Sequence, residues 1–151
     1  MKTIIIGLGN PIVSDDSVGI KVSRELRDHL NGHDGIDIAE AYAGGIRLMD
    51  AMVGYEKAII VDAIVTGNGL PGTIHSLSIS DLVSTRNIVS THDTNLLTAL
   101  EMGKMLGLPL PSEIDIWGIE AMDVETFSEE LTEDVAKAVP LVVQKIVAAL
   151  R

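Results

Sequence analysis

Three ionisable side chains stand out by their positions in the sequence: Asp16, Asp62 and His92. One imidazole and two carboxylates form a ligand set that suits a borderline divalent ion such as zinc, nickel or manganese. With three protein ligands, further coordination positions stay open for water or a substrate group. Without a metal, the same trio could do acid–base chemistry, one carboxylate having its pKa raised by its neighbour. The residue types leave both alternatives open.

The elements that must position these side chains can be read from the hydrophobic pattern. A short apolar run at Thr3–Ile6 predicts a buried strand, followed by a glycine-rich loop and a helix entry that carries Asp16. A second buried strand is predicted at Lys57–Ala63, ending on Asp62, and His92 opens a helix predicted at Thr91–Leu106. The carboxyl ends of neighbouring parallel strands converge on one crevice, so all three side chains can share it.

Each of these residues also has an ordinary structural interpretation. Asp15 and Asp16 could complement the dipole of a helix for which Ser14 is an acceptable N-cap. Polar residues such as Asp62 often terminate strands, and Ser90 with Asp93 could form a capping box at the helix entry. The combination of the three positions, rather than any one of them, is what favours a site.

The rest of the chain alternates predicted strands and helices. This alternation predicts the α/β class, with a three-layer α/β/α sandwich around a mostly parallel central sheet of about five strands, in a single domain of residues 1–151. The closing helix is predicted over Phe127–Leu150, with Pro140 expected to kink or split it. The remaining predictions are helices at Val18–Leu30 and Ile46–Met52, strands at Ile36–Ala41 and Ile114–Ile119, an edge strand at Gly72–Ile79 and a loop at Asp81–Ser90.

Composition excludes several functions. The formal net charge of −11 argues against a nucleic-acid partner, which would need clustered cations. The chain has no cysteine, and therefore no disulfide, thiolate ligand or cysteine nucleophile. No segment reads as a signal peptide or membrane span, so we expect a soluble, cytoplasmic protein without membrane insertion. Gly7-Leu8-Gly9 begins like a dinucleotide fingerprint, but Ile12 replaces the third glycine and the acid pair would repel a pyrophosphate.

Four segments together resemble the hydrogenase maturation proteases, endopeptidases that trim the C-terminal tail of the nickel-iron hydrogenase large subunit. They are GLGNPIVSDDSVG at Gly7–Gly19, IIVDA at Ile59–Ala63, STH at Ser90–His92 and IWGIE at Ile116–Glu120. The resemblance implies that Asp16, Asp62 and His92 form a catalytic, metal-contacting cluster. It implies no permanent cofactor: the cluster would recognise nickel already installed in the hydrogenase large-subunit precursor, and zinc or cadmium could substitute in vitro.

The chain departs from the family pattern at two positions, and two other functions compete. Many members have Gly-Thr where this chain has Ala43-Gly44-Gly45, and proline where it has Ala121. The first alternative is a non-catalytic maturation chaperone that holds nickel or the precursor without cutting. The second is a hydrolase similar to the peptidyl-tRNA hydrolases, which also open with GLGNP, although the acidic charge is poor for binding tRNA. Neither the scissile bond nor the oligomeric state follows from the sequence.

Overall fold

The fold is built around a mixed, mostly parallel β-sheet. The computed structural model describes residues 2–67, 69–79 and 96–150, and the backbone of residues 89–90. Its strands are β1 (Thr3–Leu8), β2 (Ile36–Ala41), β3 (Lys57–Val65), β4 (Ile74–Ser78), β5 (Val89–Ser90) and β6 (Glu113–Glu120). The sheet order is β2-β1-β3-β6-β4, in which β4 is an antiparallel edge strand and the other four run parallel. The short β5 pairs antiparallel with the end of β3.

Helices cover both faces of this sheet. They are α1 (Val18–His29), α2 (Gly45–Met52), α3 (Leu96–Met105) and α4 (Glu133–Ala149) in the described part of the chain. Alternate residues of a strand point to opposite faces, so β3 contributes Ile59 and Val61 to the core under α1 and α4. Its Ala58 and Ile60 belong to the second core, under α2 and α3. The predicted α/β class and three-layer sandwich are confirmed.

The closing helix differs from its prediction in two ways. It begins at Glu133, because its buried stripe begins at Val135, whereas Phe127 lies outside it with 83% of its surface exposed. Pro140 does not split the helix, which is continuous to Ala149. Pro140 is on the exposed side of the helix. Water can therefore hydrate the carbonyl that the missing N–H leaves without its usual donor.

Strand β3 is longer than predicted, and this changes the setting of Asp62. Hydrogen-bonded pairing continues to Ile64 with β6 and to Val65 with β5. Asp62 is therefore inside the strand rather than at its end, and the prediction that the strand ends there is wrong. The same pairing places Val89–Ser90, part of the predicted loop, in the sheet. Among the described residues, no helix is long and apolar enough to cross a membrane.

Gly19 sets how closely α1 approaches the sheet. A Cβ atom at this position would collide with the carbonyl oxygens of Val61 and Leu8, both fixed in paired strands. We therefore expect Gly19→Ala to lower the free energy of unfolding by about 3 kcal/mol, because backbone cannot move aside as a side chain can. Denaturant unfolding measures the effect.

Gly103→Ala on α3 is the matched control for this substitution. Its Cβ would meet the side-chain ends of Leu110 and Met49, at 2.9 and 3.2 Å. These can rotate, and alanine favours the helix, so the change should stay within about 1 kcal/mol. Equal effects of the two substitutions would contradict this account of the α1–sheet contact.

Candidate functional site

The two acids of the opening motif, Asp15 and Asp16, lie in different environments, and Asp15 has a structural role. Its side chain is fully buried, and one carboxylate oxygen accepts hydrogen bonds from the backbone N–H groups of Met122 and Asp123, both at 2.9 Å. Thr132 donates to the same carboxylate from its backbone N–H and from its hydroxyl, both at 2.8 Å. Four donors thus surround one carboxylate, which explains how a charged group is retained at zero exposure.

These hydrogen bonds fasten the segment of residues 121–132, which we call the pinned loop, to the opening motif. Backbone bonds extend the attachment: Asp15 N–H donates to Asp123 O at 2.9 Å, and Ser128 N–H donates to Ile12 O at 2.9 Å. Ser14 is not the side-chain cap that the sequence predicted; its hydroxyl donates to Glu130 O at 3.2 Å instead. The sequence gives little warning of this role, since the partners are more than 100 positions away.

Asp16 occupies the next position of the same 3₁₀ turn, Ser14–Ser17, and is 4% exposed. Successive side chains of a 3₁₀ helix leave its axis about 120° apart, so Asp15 and Asp16 start out in different directions from this turn. Position 9 requires a glycine, because a Cβ atom there would collide with the backbone carbonyl oxygen of Asp16. The glycine in the loop after β1 therefore has a packing role at this turn.

Asp62 lies on β3 with 2% of its surface exposed. It shares a sheet face with Ile60, which packs under α2 and α3. The turn that carries Asp16 reaches this strand, with Cα atoms of the two elements within 8 Å. Gly19, in the first turn of α1 directly after this 3₁₀ turn, lets that helix approach Val61 O, one residue before Asp62. The structure therefore brings the elements of two of the three predicted site residues together.

His92 lies outside the described residues. The nearest described residue before it in the sequence is Ser90, which pairs with Ile64 of β3, two positions beyond Asp62. Within the described ranges, no three His, Asp or Glu side chains are grouped so that they could hold a metal ion. The structure therefore describes two of the three predicted site residues, Asp16 and Asp62.

Glu120 is a buried carboxylate at the end of β6, and its position after an apolar strand predicts a place at the rim of the cleft. It is 3% exposed and accepts hydrogen bonds from Thr66 N–H at 2.8 Å and the Thr66 hydroxyl at 2.6 Å. The Nε2 atom of His75 lies 3.3 Å from the same carboxylate. The backbone of Glu120 also accepts from Gly72 N–H and donates to Thr73 O, both at 2.8 Å. Glu120 therefore fastens the loop between β3 and β4; its position at the end of an apolar strand was the available signal.

An open groove lies beside the N-terminal ends of α2 and α3. Its volume is about 440 Å³, and its lining is mostly apolar with one cation. The lining residues are Ala43, Gly44, Gly45, Ile46, Arg47, Thr98, Ala99 and Met102. The segment Ala43-Gly44-Gly45, where many members of the resembled family have Gly-Thr, thus forms part of the wall of this groove. The three residues Ala43–Gly45 have side chains too small to fill it.

The geometry defines a class: an α/β sandwich whose buried carboxylates, Asp16 and Asp62, lie on neighbouring elements beyond β1 and on β3. The family model described as hydrogenase maturation protease matches residues 20–149. The chain therefore belongs to the hydrogenase maturation protease family, and the resemblance seen in the sequence is confirmed. It is accordingly a peptidase of hydrogenase maturation.

Individual relatives agree with this assignment. The hydrogenase 2 maturation protease of Escherichia coli strain K12 is 25% identical over 152 aligned positions, covering 100% of this chain and 92% of that protein. The solved structure of the E. coli hydrogenase maturating endopeptidase HybD superposes with a TM-score of 0.84 at 25% identity, covering 100% of this chain and 93% of the other. The [NiFe] hydrogenase maturation protease HybD of Thermococcus kodakarensis shares the fold, with a TM-score of 0.73, 24% identity and complete coverage of both chains.

Proposed function

We propose that this protein removes the C-terminal extension of a nickel-iron hydrogenase large-subunit precursor after nickel insertion. The observation that carries the proposal is the pair of buried carboxylates, Asp16 and Asp62, on contacting elements of a chain that belongs to the maturation protease family. Nickel belongs to the substrate in this proposal and is not a resident cofactor. Zinc or cadmium would occupy the same position in vitro.

In the proposed site, Asp16, Asp62 and His92 contact the nickel of the precursor. Carboxylates at 4% and 2% exposure attract a cation more strongly than exposed ones would, because water screens them less. His92 is included because it comes two positions after Ser90, whose strand pairs with β3 beyond Asp62, and because an imidazole completes a ligand set for a borderline ion. Ligands from the precursor would fill the remaining coordination positions.

This arrangement would make cleavage conditional on nickel. A precursor without nickel cannot make the contacts from the metal to the carboxylates and the imidazole. The protein would therefore bind the nickel-loaded precursor more tightly than the nickel-free one. Bound nickel could polarise the scissile carbonyl, or a carboxylate could activate water. Both routes use the same residues. We propose that the precursor is matured in the cytoplasm.

Incubation with nickel-loaded and nickel-free precursor tests the proposal, with the released tail followed by mass spectrometry. We expect the loaded form to be cleaved at a single bond, and the nickel-free form to be cleaved at least about 100-fold more slowly. Equal cleavage of both forms would contradict nickel recognition. Binding of the loaded form without cleavage would instead favour the maturation chaperone, the alternative that shares all three residues.

A further inference from the structure

The pinned loop presents large apolar side chains to solvent beside the proposed site. Phe127 is 83% exposed and Met122 is 71% exposed, while Ile12, on the opening motif, is 51% exposed. The backbone joins these positions: Met122 N–H donates to Asp15, and Ser128, next to Phe127, donates to Ile12 O. Large apolar side chains that are exposed on two segments joined by backbone hydrogen bonds are candidates for an interaction surface.

The loop is held in place before any partner binds. The four hydrogen bonds to the Asp15 carboxylate tie both of its ends to the 3₁₀ turn. Within it, the Asp123 carboxylate accepts from the backbone N–H groups of Glu125 and Thr126, both at 3.0 Å. A surface that is already ordered loses little conformational entropy on association, so its contacts contribute more fully to affinity.

The charge around these side chains identifies the chemistry of the partner. Residues 105–136 contain no lysine or arginine, while Asp123, Glu125, Glu129 and Glu130 all belong to the pinned loop. Arg24 of α1 interacts with Glu129, but it is already paired with Glu40 at 3.0 Å, so the loop keeps an excess of negative charge. The hydrogen bond from the Thr126 side chain, with those from the two backbone N–H groups, lowers the pKa of Asp123 because all of them favour the ionised carboxylate. A second copy of this acidic surface would be repelled, so the complementary partner carries lysine or arginine around an apolar patch.

We infer that the pinned loop, with Ile12, is a docking surface for an apolar patch rimmed by basic residues on the body of the hydrogenase large-subunit precursor. The inference rests on the proposed function, because that function supplies the partner. Asp15 connects this surface to the adjacent Asp16 through one peptide bond and four hydrogen bonds. Docking here fixes the precursor relative to the carboxylate that is proposed to meet its nickel.

The test measures binding of the nickel-loaded precursor to the intact protein, with cleavage followed in the same samples. The variant Met122→Ser/Phe127→Ser removes exposed apolar area but none of the backbone hydrogen bonds, and should raise Kd by about tenfold or more. Leu141→Ser on α4, which is 53% exposed, is the matched control and should stay within about twofold of the wild type. Unfolding curves verify that all variants are folded.

A charge-reversal variant tests the basic rim separately. Glu125→Lys/Glu129→Lys should also raise Kd, and its difference from wild type should shrink at about 1 M salt, where charges are screened beyond about 3 Å.

Several outcomes would overturn the docking surface. These are a serine variant with wild-type Kd, a wild-type protein that does not bind the precursor, and a variant that loses only self-association. Weakened binding without any cleavage by the wild type would support the docking surface while contradicting the proposed proteolysis. Normal cleavage by a serine variant with unchanged Kd would support the proposed proteolysis while contradicting the docking surface.

Discussion

Asp16→Asn and Asp62→Asn are each expected to slow processing of the nickel-loaded precursor by at least about 100-fold, equivalent to about 2.7 kcal/mol of lost transition-state stabilisation. The amide has nearly the shape of the carboxylate but carries no negative charge, so it is a poor ligand for nickel and a poor base. Release of the tail, followed by mass spectrometry, gives the rates.

Asp50→Asn is the control for these substitutions, because Asp50 is an exposed carboxylate on α2. Its variant should process the precursor at the wild-type rate. Unfolding of each variant by denaturant separates loss of chemistry from loss of structure. A folded Asp16→Asn or Asp62→Asn variant that cleaves at the normal rate would remove that residue from the proposed site.

Asp15→Ala is expected to lower the free energy of unfolding by about 3–5 kcal/mol. The substitution removes the acceptor of four hydrogen bonds at once and leaves the donors of Met122, Asp123 and Thr132 with no carboxylate to bind. The pinned loop would then detach from the 3₁₀ turn. Denaturant unfolding, with hydrogen exchange at these three amides, measures both consequences.

Comparison with Asp15→Asn makes this prediction sharper. Asparagine retains one oxygen acceptor, so we expect a smaller loss of stability than with alanine. Some loss remains because its amide nitrogen, itself a donor, would face N–H or O–H donors. A change below about 1 kcal/mol for Asp15→Ala would show that the four hydrogen bonds contribute little net stability. It would also contradict the view that neighbouring acids divide into a structural and a functional residue.

Most of the fold could be predicted from local sequence. Buried parallel strands consist of uninterrupted apolar residues, as in Thr3–Ile6 and Lys57–Ala63, and amphipathic helices repeat with a period of 3.6. Each of these patterns is contained in one short stretch of sequence, so the α/β class and the approximate positions of nearly all helices and strands could be predicted from them. The family resemblance followed from short motifs that are also local.

Element ends were harder to predict because they depend on partners elsewhere in the chain. Strand β3 continues past Asp62 because β5 and β6 supply hydrogen-bonding partners for Ile64, and nothing within the strand itself indicates that they are there. The closing helix begins at Glu133 rather than Phe127 because the apolar residue at 127 is exposed and the buried stripe starts later. Local hydrophobicity cannot distinguish a buried apolar side chain from one that faces solvent.

The sequence by itself determined which residue types could form the site: a carboxylate after β1, another on β3, and a histidine ahead of the third helix. The family resemblance already named Asp16 as the site residue, but only the tertiary structure showed that Asp15 has a structural role. Asp15 and Asp16 are chemically identical, and no local rule ranks one above the other. The donors that surround Asp15 come from residues 107 to 117 positions away, so long-range hydrogen bonding, which only folding creates, makes the distinction.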